Sequence, residues 1–368
     1  MPSPRRIRLA VLYGGRSAEH AVSVVSARSV MEALDPDRFE VVPIGITRDG
    51  AWLLPTTSPL ELSAPPGRLP EVDQAGTAVA LRPDRRTGAL AAGGLAAGGG
   101  LGGQVDVVFP LLHGPYGEDG TVQGLFELAD LPYVGSGVLA SALAMDKAMA
   151  KVVFAQAGLP QAPWLVVHEP AWRAHPDRIA GQVAARFTYP VFVKPARLGS
   201  SIGTAKAHDP SELPDAVEGA LAHDAKILVE QGIDARELEC GVLGNLEPQA
   251  SVVGEVVPGH EFYDFEAKYL DEAAKLLIPA PVPSRVAEQV RELALTAFRV
   301  LGCEGLARVD CFWDEAAERL YLNEVNTIPG FTPKSMFPLL WAASGLSYSD
   351  LVARLVELAV ERHARRRA

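Results

Sequence analysis

The stretch LYLNEVNTIPGFTPKS, residues 320–335, decides how the C-terminal part of the chain folds. It begins with the pattern of a buried strand, yet it carries Glu324 and Asn326 among apolar residues and breaks at Pro329 and Gly330. The apolar stretch LARVDCFW precedes it across the polar turn DEAAER. Two apolar stretches joined by a short polar turn predict an antiparallel hairpin.

The register of this hairpin determines which side chains share a face. Directly opposed residues of an antiparallel pair lie on one face, and their numbers have a constant sum. Pairs centred on the turn would have residue numbers with an odd sum. The neighbouring register, with an even sum, places Asp310 opposite Glu324 and Arg308 opposite Asn326. The odd-numbered residues are then predicted to form the core face: Ala307, Val309, Cys311, Trp313, Tyr321 and Val325.

The even-numbered face predicts a magnesium site. Two opposed carboxylates repel each other unless a cation lies between them. Carboxylate and amide oxygens are ligands that Mg²⁺ prefers, together with substrate phosphates. The alternative is a solvated face with one arginine–carboxylate salt bridge.

Composition limits the classes of function. The chain has 368 residues, of which 48% are hydrophobic and 21% charged, so it can bury enough core for two or three domains. The net charge of −11 argues against nucleic-acid and membrane partners, since both are bound through clustered positive charge. The apolar run in MPSPRRIRLAVLYGG is too short for a signal peptide, which favours a cytoplasmic protein. The three cysteines lack metal-ligand spacing and are predicted to be reduced and buried: Cys240, Cys303 and Cys311.

The order of elements predicts three domains in an α/β protein with some α+β elements. Residues 1–144 alternate strands and helices, as in an open parallel sheet, and include a Gly/Ala-rich stretch, 82–104, predicted to be a flexible surface hairpin or insertion. Residues 145–236 have the pattern of a small antiparallel sheet. Residues 237–368 contain the hairpin described above.

A glycine- and serine-rich turn in the second region indicates phosphate binding. In VFVKPARLGSSIG, Lys194 ends a strand, and small residues follow that let backbone N–H groups approach phosphate oxygens. The residue order of a P-loop is absent. The alternative for this turn is an ordinary hairpin, and the alternative for Lys147 in MDKAMAK is a solvated helix lysine.

Seven motifs in this order resemble those of the D-alanine–D-alanine ligases of the ATP-grasp superfamily. GGRSAEHAVSV and LLHGPYGEDGTVQG are followed by KPARLGSSIG, VEQGIDARELECGV, DFEAKY, ARVDCFW and NEVNTIPGFTPKSMFP. The resemblance runs from about Leu9 to Leu351 and implies a three-domain ATP-grasp fold. One departure is Ala21, which stands where the family more often has an acid beside the Glu–His pair.

The resemblance implies ATP-dependent ligation of two D-alanines through a D-alanyl phosphate, for bacterial peptidoglycan precursors. The first step brings a carboxylate to the γ-phosphate of ATP, so neutralising negative charge is the main catalytic demand. Two Mg²⁺ ions, with Mn²⁺ as a substitute, and a homodimer are also implied.

The resemblance also assigns roles to individual residues. The implied Mg²⁺ ligands are Asp310, Glu324 and Asn326. The implied ATP contacts are Lys147, Lys194 and Lys268 for the phosphates, Ser200 and Ser201 in the turn, Glu230 at the adenine and Glu237 at the ribose. The residues implied for the two D-alanines and for the chemistry between them are Glu19 with Ser200 and Tyr269, His113, Arg308, the backbone N–H at Gly330, Ser335 and the N–H of Met336.

The choice of second substrate rests on Tyr269. By resemblance, a tyrosine at this position marks ligases that form dipeptides, so D-alanine is favoured over D-lactate. The alternatives are a D-alanine–D-lactate or D-alanine–D-serine ligase, a nucleotide-binding sensor without turnover, and a dinucleotide-binding oxidoreductase. The last requires G-x-G-x-x-G after a strand, which YGGRSAEH lacks.

Overall fold

The computed structural model describes residues 5–62, 69–81, 90–92, 104–258 and 275–367. Their strands form three sheets, each built from a separate part of the chain. The predicted mixed α/β architecture is confirmed. Among the described residues, no helix is both long and apolar enough to cross a membrane.

The first sheet has a parallel part and an antiparallel part. Its spatial order is β5-β4-β3-β2-β1-β6, with β1 parallel to β2 and β6 and the other neighbours antiparallel. The predicted open parallel sheet is therefore confirmed only for β2, β1 and β6. The strands are β1 (Ile7–Gly14), β2 (Phe39–Ile46), β3 (Trp52–Pro55), β4 (Gly76–Leu81), β5 (Leu90–Ala92) and β6 (Val107–Pro110), and the helices are α1 (His20–Ala33), α2 (Thr121–Leu128), α3 (Val138–Met145) and α4 (Lys147–Gln156).

The Gly/Ala-rich stretch 82–104 contributes one strand to this sheet. Strand β5 pairs with β4 as a hairpin, and Leu90 is buried. Residues 82–89 and 93–103 lie outside the described residues.

The second sheet is small and antiparallel, as predicted. Its order is β7-β10-β8-β9. The elements are β7 (Trp164–His168), α5 (Glu169–Ala174), α6 (Pro176–Arg186), β8 (Val191–Pro195), β9 (Ala205–Ala207), α7 (Leu213–Leu221) and β10 (Lys226–Gln231).

The third sheet contains the predicted hairpin, and its order is β13-β12-β11-β14-β15. One face packs on α8, and the cysteines are buried there and free. On the other face, a Cβ added to Gly241 would lie 2.9 Å from Trp341 Nε1, so the glycine lets α9 approach the sheet closely. The elements are β11 (Arg236–Gly244), β12 (Gln249–Val257), β13 (Lys275–Leu277), α8 (Ser284–Val300), β14 (Gly305–Asp314), β15 (Arg319–Asn326), α9 (Met336–Ala343) and α10 (Tyr348–Arg367).

The predicted register of the β14–β15 hairpin is confirmed in the half that carries the polar residues. Asp310 pairs with Glu324 and Arg308 with Asn326. The next pair is Cys311 with Leu322, so Asn323 is an extra residue that forms a β-bulge.

The bulge changes the face of every residue nearer the turn. Leu320 and Leu322 therefore join the core, although Glu324 also has an even number. Tyr321 is buried but lies opposite Phe312, so its predicted place on the core face is wrong. The prediction failed because one register was applied to the whole strand.

The last helix returns to the first sheet. Leu351 and Leu355 of α10 lie in the same apolar cluster as Leu9 and Val11 of β1, and we call this cluster the shared core. At the end of α10, the buried Arg362 donates hydrogen bonds to the carbonyl oxygens of Tyr133 and Gly135.

Candidate active site

The polar face of the third sheet carries a row of three carboxylates. Glu239 on β11 lies opposite Asp310, which lies opposite Glu324. Arg308, in the adjacent row, donates from Nε and one Nη to the two oxygens of Asp310 at 2.7 Å each. Its Nε also lies 3.0 Å from Glu239 Oε2. Asn326 Nδ2 donates to Asp310 Oδ2 at 2.9 Å.

These contacts hold Arg308 in its charged form. Burial alone would lower its pKa, but the carboxylates of Asp310 and Glu239 outweigh that effect and raise the pKa well above its usual value. The guanidinium is therefore a fixed positive charge between two acids.

Glu239 was not among the site residues predicted from the sequence. Strand β11 alternates polar and apolar residues, since Leu238, Cys240 and Val242 are in the core. The acid at 239 therefore belongs to the polar face, and extending the alternation by one strand would have found it.

The donor set on this face fits Mg²⁺. In the part of the chain that the structure describes, no three carboxylate, imidazole or thiolate side chains gather closely enough to hold a metal ion alone. Mg²⁺ does not need such a cage, because it usually takes one or two carboxylates and completes its shell with phosphates and water. Asp310 and Glu324 supply carboxylate oxygens, and Asn326 keeps its amide oxygen while its nitrogen binds Asp310.

Lys147 connects this face to the second sheet. It is the first residue of α4, and its Nζ donates to the carbonyl oxygen of Leu198 at 2.7 Å. The same Nζ lies 3.4 Å from Glu324 Oε2. Lys147 is therefore a largely buried, paired residue rather than a solvated helix lysine.

Lys194 and Glu230 form a buried ion group with Lys151, which sequence analysis also missed. Lys194 pairs with Glu230 Oε2, and Lys151 Nζ lies 2.8 Å from Glu230 Oε1. Burial favours the neutral acid, but the two lysines outweigh it and lower the pKa of Glu230 to about 2. Burial would also lower the pKa of Lys194, whereas Glu230 raises it, with a net increase. In this structure, both carboxylate oxygens of Glu230 thus face ammonium groups.

The glycine- and serine-rich turn reaches the first sheet. Ser200 and Ser201 have φ angles of 50° and 56°, a left-handed conformation that residues other than glycine seldom adopt. Ser200 Oγ donates a hydrogen bond to Glu19, the residue at the start of α1. The strained turn is therefore joined to the end of the first sheet.

Glu19 lies near a second acid, Glu118, which sequence analysis did not select. Glu118 Oε1 accepts from the backbone N–H of Gly114 at 2.8 Å. Burial, and then the charge of Glu19, raise the pKa of Glu118 to about 8. Its surroundings therefore favour the protonated form of Glu118. Its position in a loop after a strand gave no sign of this, because the effect comes from packing.

His113 is buried and neutral. Its Nδ1 lies 3.0 Å from the carbonyl oxygen of Ile328, so Nδ1 carries the proton, and Nε2 lies 3.4 Å from Ser26 Oγ. Burial lowers the pKa of His113, although Glu19 acts in the opposite direction. The contact with Ile328 joins the first sheet to the loop that follows β15.

That loop also contains Gly330 and Ser335. A Cβ on Gly330 would lie 3.2 Å from Ser335 Oγ, so the glycine permits this close approach. Ser335 precedes α9, but its hydroxyl accepts from the N–H of Thr332 at 3.1 Å and makes no cap bond to the helix. Met336 is the first residue of α9, where helix N–H groups have no partner inside the helix.

Two predicted site residues, Lys268 and Tyr269, lie outside the described residues. Glu237 is on β11 opposite Phe312, and its charge contributes to the raised pKa of Lys194. Contacts among the described site residues therefore join all three regions: Ser200 with Glu19, Lys147 with Glu324, and His113 with Ile328. We call the space between these groups the cleft.

Two family models and many known proteins match this chain. A family model described as D-ala D-ala ligase N-terminus matches residues 8–136, and one described as D-ala D-ala ligase C-terminus matches residues 153–357. A D-alanine--D-alanine ligase from Mycobacterium sp. (strain KMS) is 51% identical over 370 residues, covering 97% of each chain. One from Acetivibrio thermocellus is 46% identical over 364 residues, covering 97% of this chain and 96% of the relative.

Solved structures are similar over nearly the whole chain. The VanG D-Ala:D-Ser ligase from Enterococcus faecalis has a TM-score of 0.83 at 35% identity and covers 96% of this chain and 100% of its own. The D-alanine-D-alanine ligase from Coxiella burnetii has a TM-score of 0.81 at 32% identity and covers 99% of this chain and 97% of its own. The chain belongs to the D-ala D-ala ligase family.

Proposed function

We propose that this protein joins two D-alanines into D-alanyl-D-alanine with ATP, through a D-alanyl phosphate. The observation that carries the proposal is the meeting of charged groups at the cleft. Lys147 lies 3.4 Å from Glu324 of the third sheet, while Ser200 of the second region binds Glu19 of the first. This arrangement can neutralise a nucleotide phosphate and hold an amino acid beside it.

In the first step, Glu19 binds the ammonium group of the first D-alanine. The carboxylate of that D-alanine attacks the γ-phosphorus of ATP, a new P–O bond forms, and ADP leaves. Lys147 and Lys194 balance the phosphate charge. Neutral His113 lies beside the substrate carboxylate without adding a charge.

In the second step, the amine of the second D-alanine attacks the acyl carbon. A C–N bond forms, the amine loses a proton, and the C–O bond to phosphate breaks. Arg308 and the backbone N–H at Gly330 stabilise the oxyanion between these events, and Ser335 with the N–H of Met336 binds the second carboxylate.

Two Mg²⁺ ions complete the proposed site. Asp310, Glu324 and Asn326 would hold them, and Glu239 lies in the same row. The ions would offset the charge of the ATP phosphates, as Mg²⁺ does in phosphoryl transfer. Mn²⁺ offers the same hard, oxygen-preferring chemistry.

The three sheets support a division into domains at residues 1–144, 145–236 and 237–368. We predict a cytoplasmic location, because the nucleotide and the proposed product belong to precursor synthesis inside the cell.

A homodimer is the proposed assembly. The contacting helices α2, α3 and α4 expose several large apolar side chains, which favours a partner surface there. These side chains are Leu125, Leu128, Val138, Leu139, Met149 and Val152. Light scattering should give a mass of about twice 39.1 kDa. Leu128→Glu with Leu139→Glu should halve that mass, whereas a wild-type monomer would contradict the assignment.

The test of the function is ATP-dependent phosphate release with Mg²⁺, with the products identified by mass. D-alanine alone should give the dipeptide, while L-alanine should give none. D-serine or D-lactate supplied with D-alanine tests the alternatives, and D-serine is the sharper competitor because the similar Enterococcus structure is a D-Ala:D-Ser ligase. ATP binding without any ligation product would refute the proposal.

A further inference from the structure

The buried ion group between α4, β8 and β10 contains one lysine more than its carboxylate needs. Glu230 offers one oxygen to Lys151 and the other to Lys194. One carboxylate and two ammonium groups leave a net charge of about +1 at neutral pH. We call these three residues the ion triad.

The two lysines of the ion triad occupy different surroundings. The side chain of Lys151 is 3% exposed and that of Lys194 is 15% exposed. Lys194 also feels the charges of Glu324 and Glu237, which belong to the third sheet. Lys194 therefore lies toward the cleft, whereas Lys151 is enclosed behind Glu230.

The backbone around Lys151 fixes its position. Lys151 lies one helical turn after Lys147 on α4, and its carbonyl oxygen accepts from Gln161 Nε2 at 3.0 Å. The anchored helix keeps the largely buried ammonium group of Lys151 beside Glu230.

This arrangement determines how much positive charge Lys194 can offer. A carboxylate with a single lysine is a neutral pair, which attracts an incoming anion weakly. A second lysine makes the group cationic, and a charge surrounded by protein acts more strongly than the same charge in water. Without Lys151, Lys194 would have to neutralise Glu230 and a nucleotide phosphate together.

We propose that Lys151 is a positioning residue for nucleotide binding: it is the counter-ion of Glu230, and it thereby leaves the charge of Lys194 available to the phosphate groups of a nucleoside polyphosphate. The inference rests on the proposed function, because it takes Lys194 as a phosphate contact.

The test compares nucleotides that differ in phosphate content. Lys151→Met removes the charge and keeps an unbranched apolar side chain. Calorimetry should show that ATP and ADP bind about tenfold more weakly or worse while adenosine affinity changes much less, so that the ratio of ADP to adenosine affinity falls. A residue that only supports the fold would weaken adenosine and ADP alike.

Two further variants separate charge from packing. Lys151→Arg keeps the charge and should keep most of the ADP affinity. Lys151→Met combined with Glu230→Gln removes the acid that competes for Lys194, so the ratio of ADP to adenosine affinity should return toward wild type. This double variant also restores charge balance, so it serves if the single variant does not fold.

Lys226→Met is a matched control. Lys226 also lies on strand β10 and also pairs with a carboxylate, that of Asp146, but it does not belong to the ion triad. It should leave the ratio of ADP to adenosine affinity unchanged. Wild-type ADP binding by Lys151→Met, or a double variant weaker than the single one, would overturn the inference. Absence of ligation by the wild type would instead overturn the proposed function.

Discussion

Arg308 balances two carboxylates at once, so the polar face of the third sheet depends on it. Asp310 and Glu239 lie opposite each other on adjacent strands and would repel without the guanidinium. The same charge is the proposed oxyanion partner. Structural and catalytic demands therefore fall on one side chain.

Arg308→Met should lower the free energy of unfolding by about 3 kcal/mol, because removing one member of a partly buried ion group leaves the others uncompensated. Urea unfolding in EDTA measures this loss. Millimolar Mg²⁺ should recover part of it, since a cation can take the place of the guanidinium between the acids. Arg308→Lys, which keeps the charge, should lose less stability. An Arg308→Met variant that is as stable as wild type, and whose free energy of unfolding does not change with Mg²⁺, would contradict this account.

The raised pKa of Glu118 predicts how the stability of the fold changes with pH. Its pKa is about 8 in the folded protein against a usual value of 4.5, so the folded state keeps a proton that the unfolded chain releases. The resulting stabilisation is complete below pH 4.5 and is lost as the pH rises toward about 8. Glu118→Gln should therefore gain in melting temperature relative to wild type across this window.

Glu127→Gln is the control for that experiment. Although burial acts in the opposite direction, hydrogen bonds from Tyr133 and Arg366 lower the pKa of Glu127, so this variant should lose stability relative to wild type as the acid ionises. If the difference in melting temperature between Glu118→Gln and wild type were the same at every pH, the raised pKa of Glu118 would be contradicted.

At the scale of elements, the bulge at Asn323 lets one strand serve two faces. On the turn side of the bulge, Leu320 and Leu322 pack in the core, and beyond it Glu324 and Asn326 face the cleft. In an uninterrupted strand these four residues, whose numbers are all even, would lie on one face. Without the bulge, the two leucines and the polar pair could not face opposite sides of the sheet.

Deleting Asn323 should abolish ligation, because loss of the bulge moves either the leucines or the polar pair to the wrong face. Asn323→Ala keeps the chain length and should retain the fold and most of the activity. Phosphate release and thermal unfolding, measured on both variants, test the claim. A deletion variant that still ligates D-alanine would show that the strand can find another register.

The sequence contained enough to place Asp310 opposite Glu324, because polar alternation and the turn restrict the register. The bulge was not predictable, since it depends on how both halves of the strand pack. Lys151 and Glu118 were missed for a similar reason: an isolated lysine in a helix or acid in a loop carries no mark of burial. The roles of Lys268 and Tyr269 stay predictions.

At the scale of the whole molecule, the end of α10 ties the first region to the third. Arg362 donates to carbonyl oxygens at Tyr133 and Gly135, and its guanidinium lies 4.0 Å from the centre of the Tyr133 ring. The more exposed Arg366 pairs with Glu127. The basic tail thus has structural partners.

Arg362→Met should lower the free energy of unfolding by about 1–3 kcal/mol, because it leaves buried carbonyl groups without donors. Arg366→Met should cost under about 1 kcal/mol, and salt should reduce that difference because the pair is exposed. Urea titrations at low and high salt separate the two cases. Equal losses with equal salt dependence would contradict the distinction.

The shared core has a consequence for biosynthesis. Strand β1 is synthesised before α10, yet Leu9 and Val11 share an apolar cluster with Leu351 and Leu355 of that helix. The nascent chain must therefore carry an open apolar surface until α10 has been synthesised. A message truncated before α10 would yield a chain that exposes this surface and engages chaperones or proteases, so the shared core can be completed only after α10 has been made.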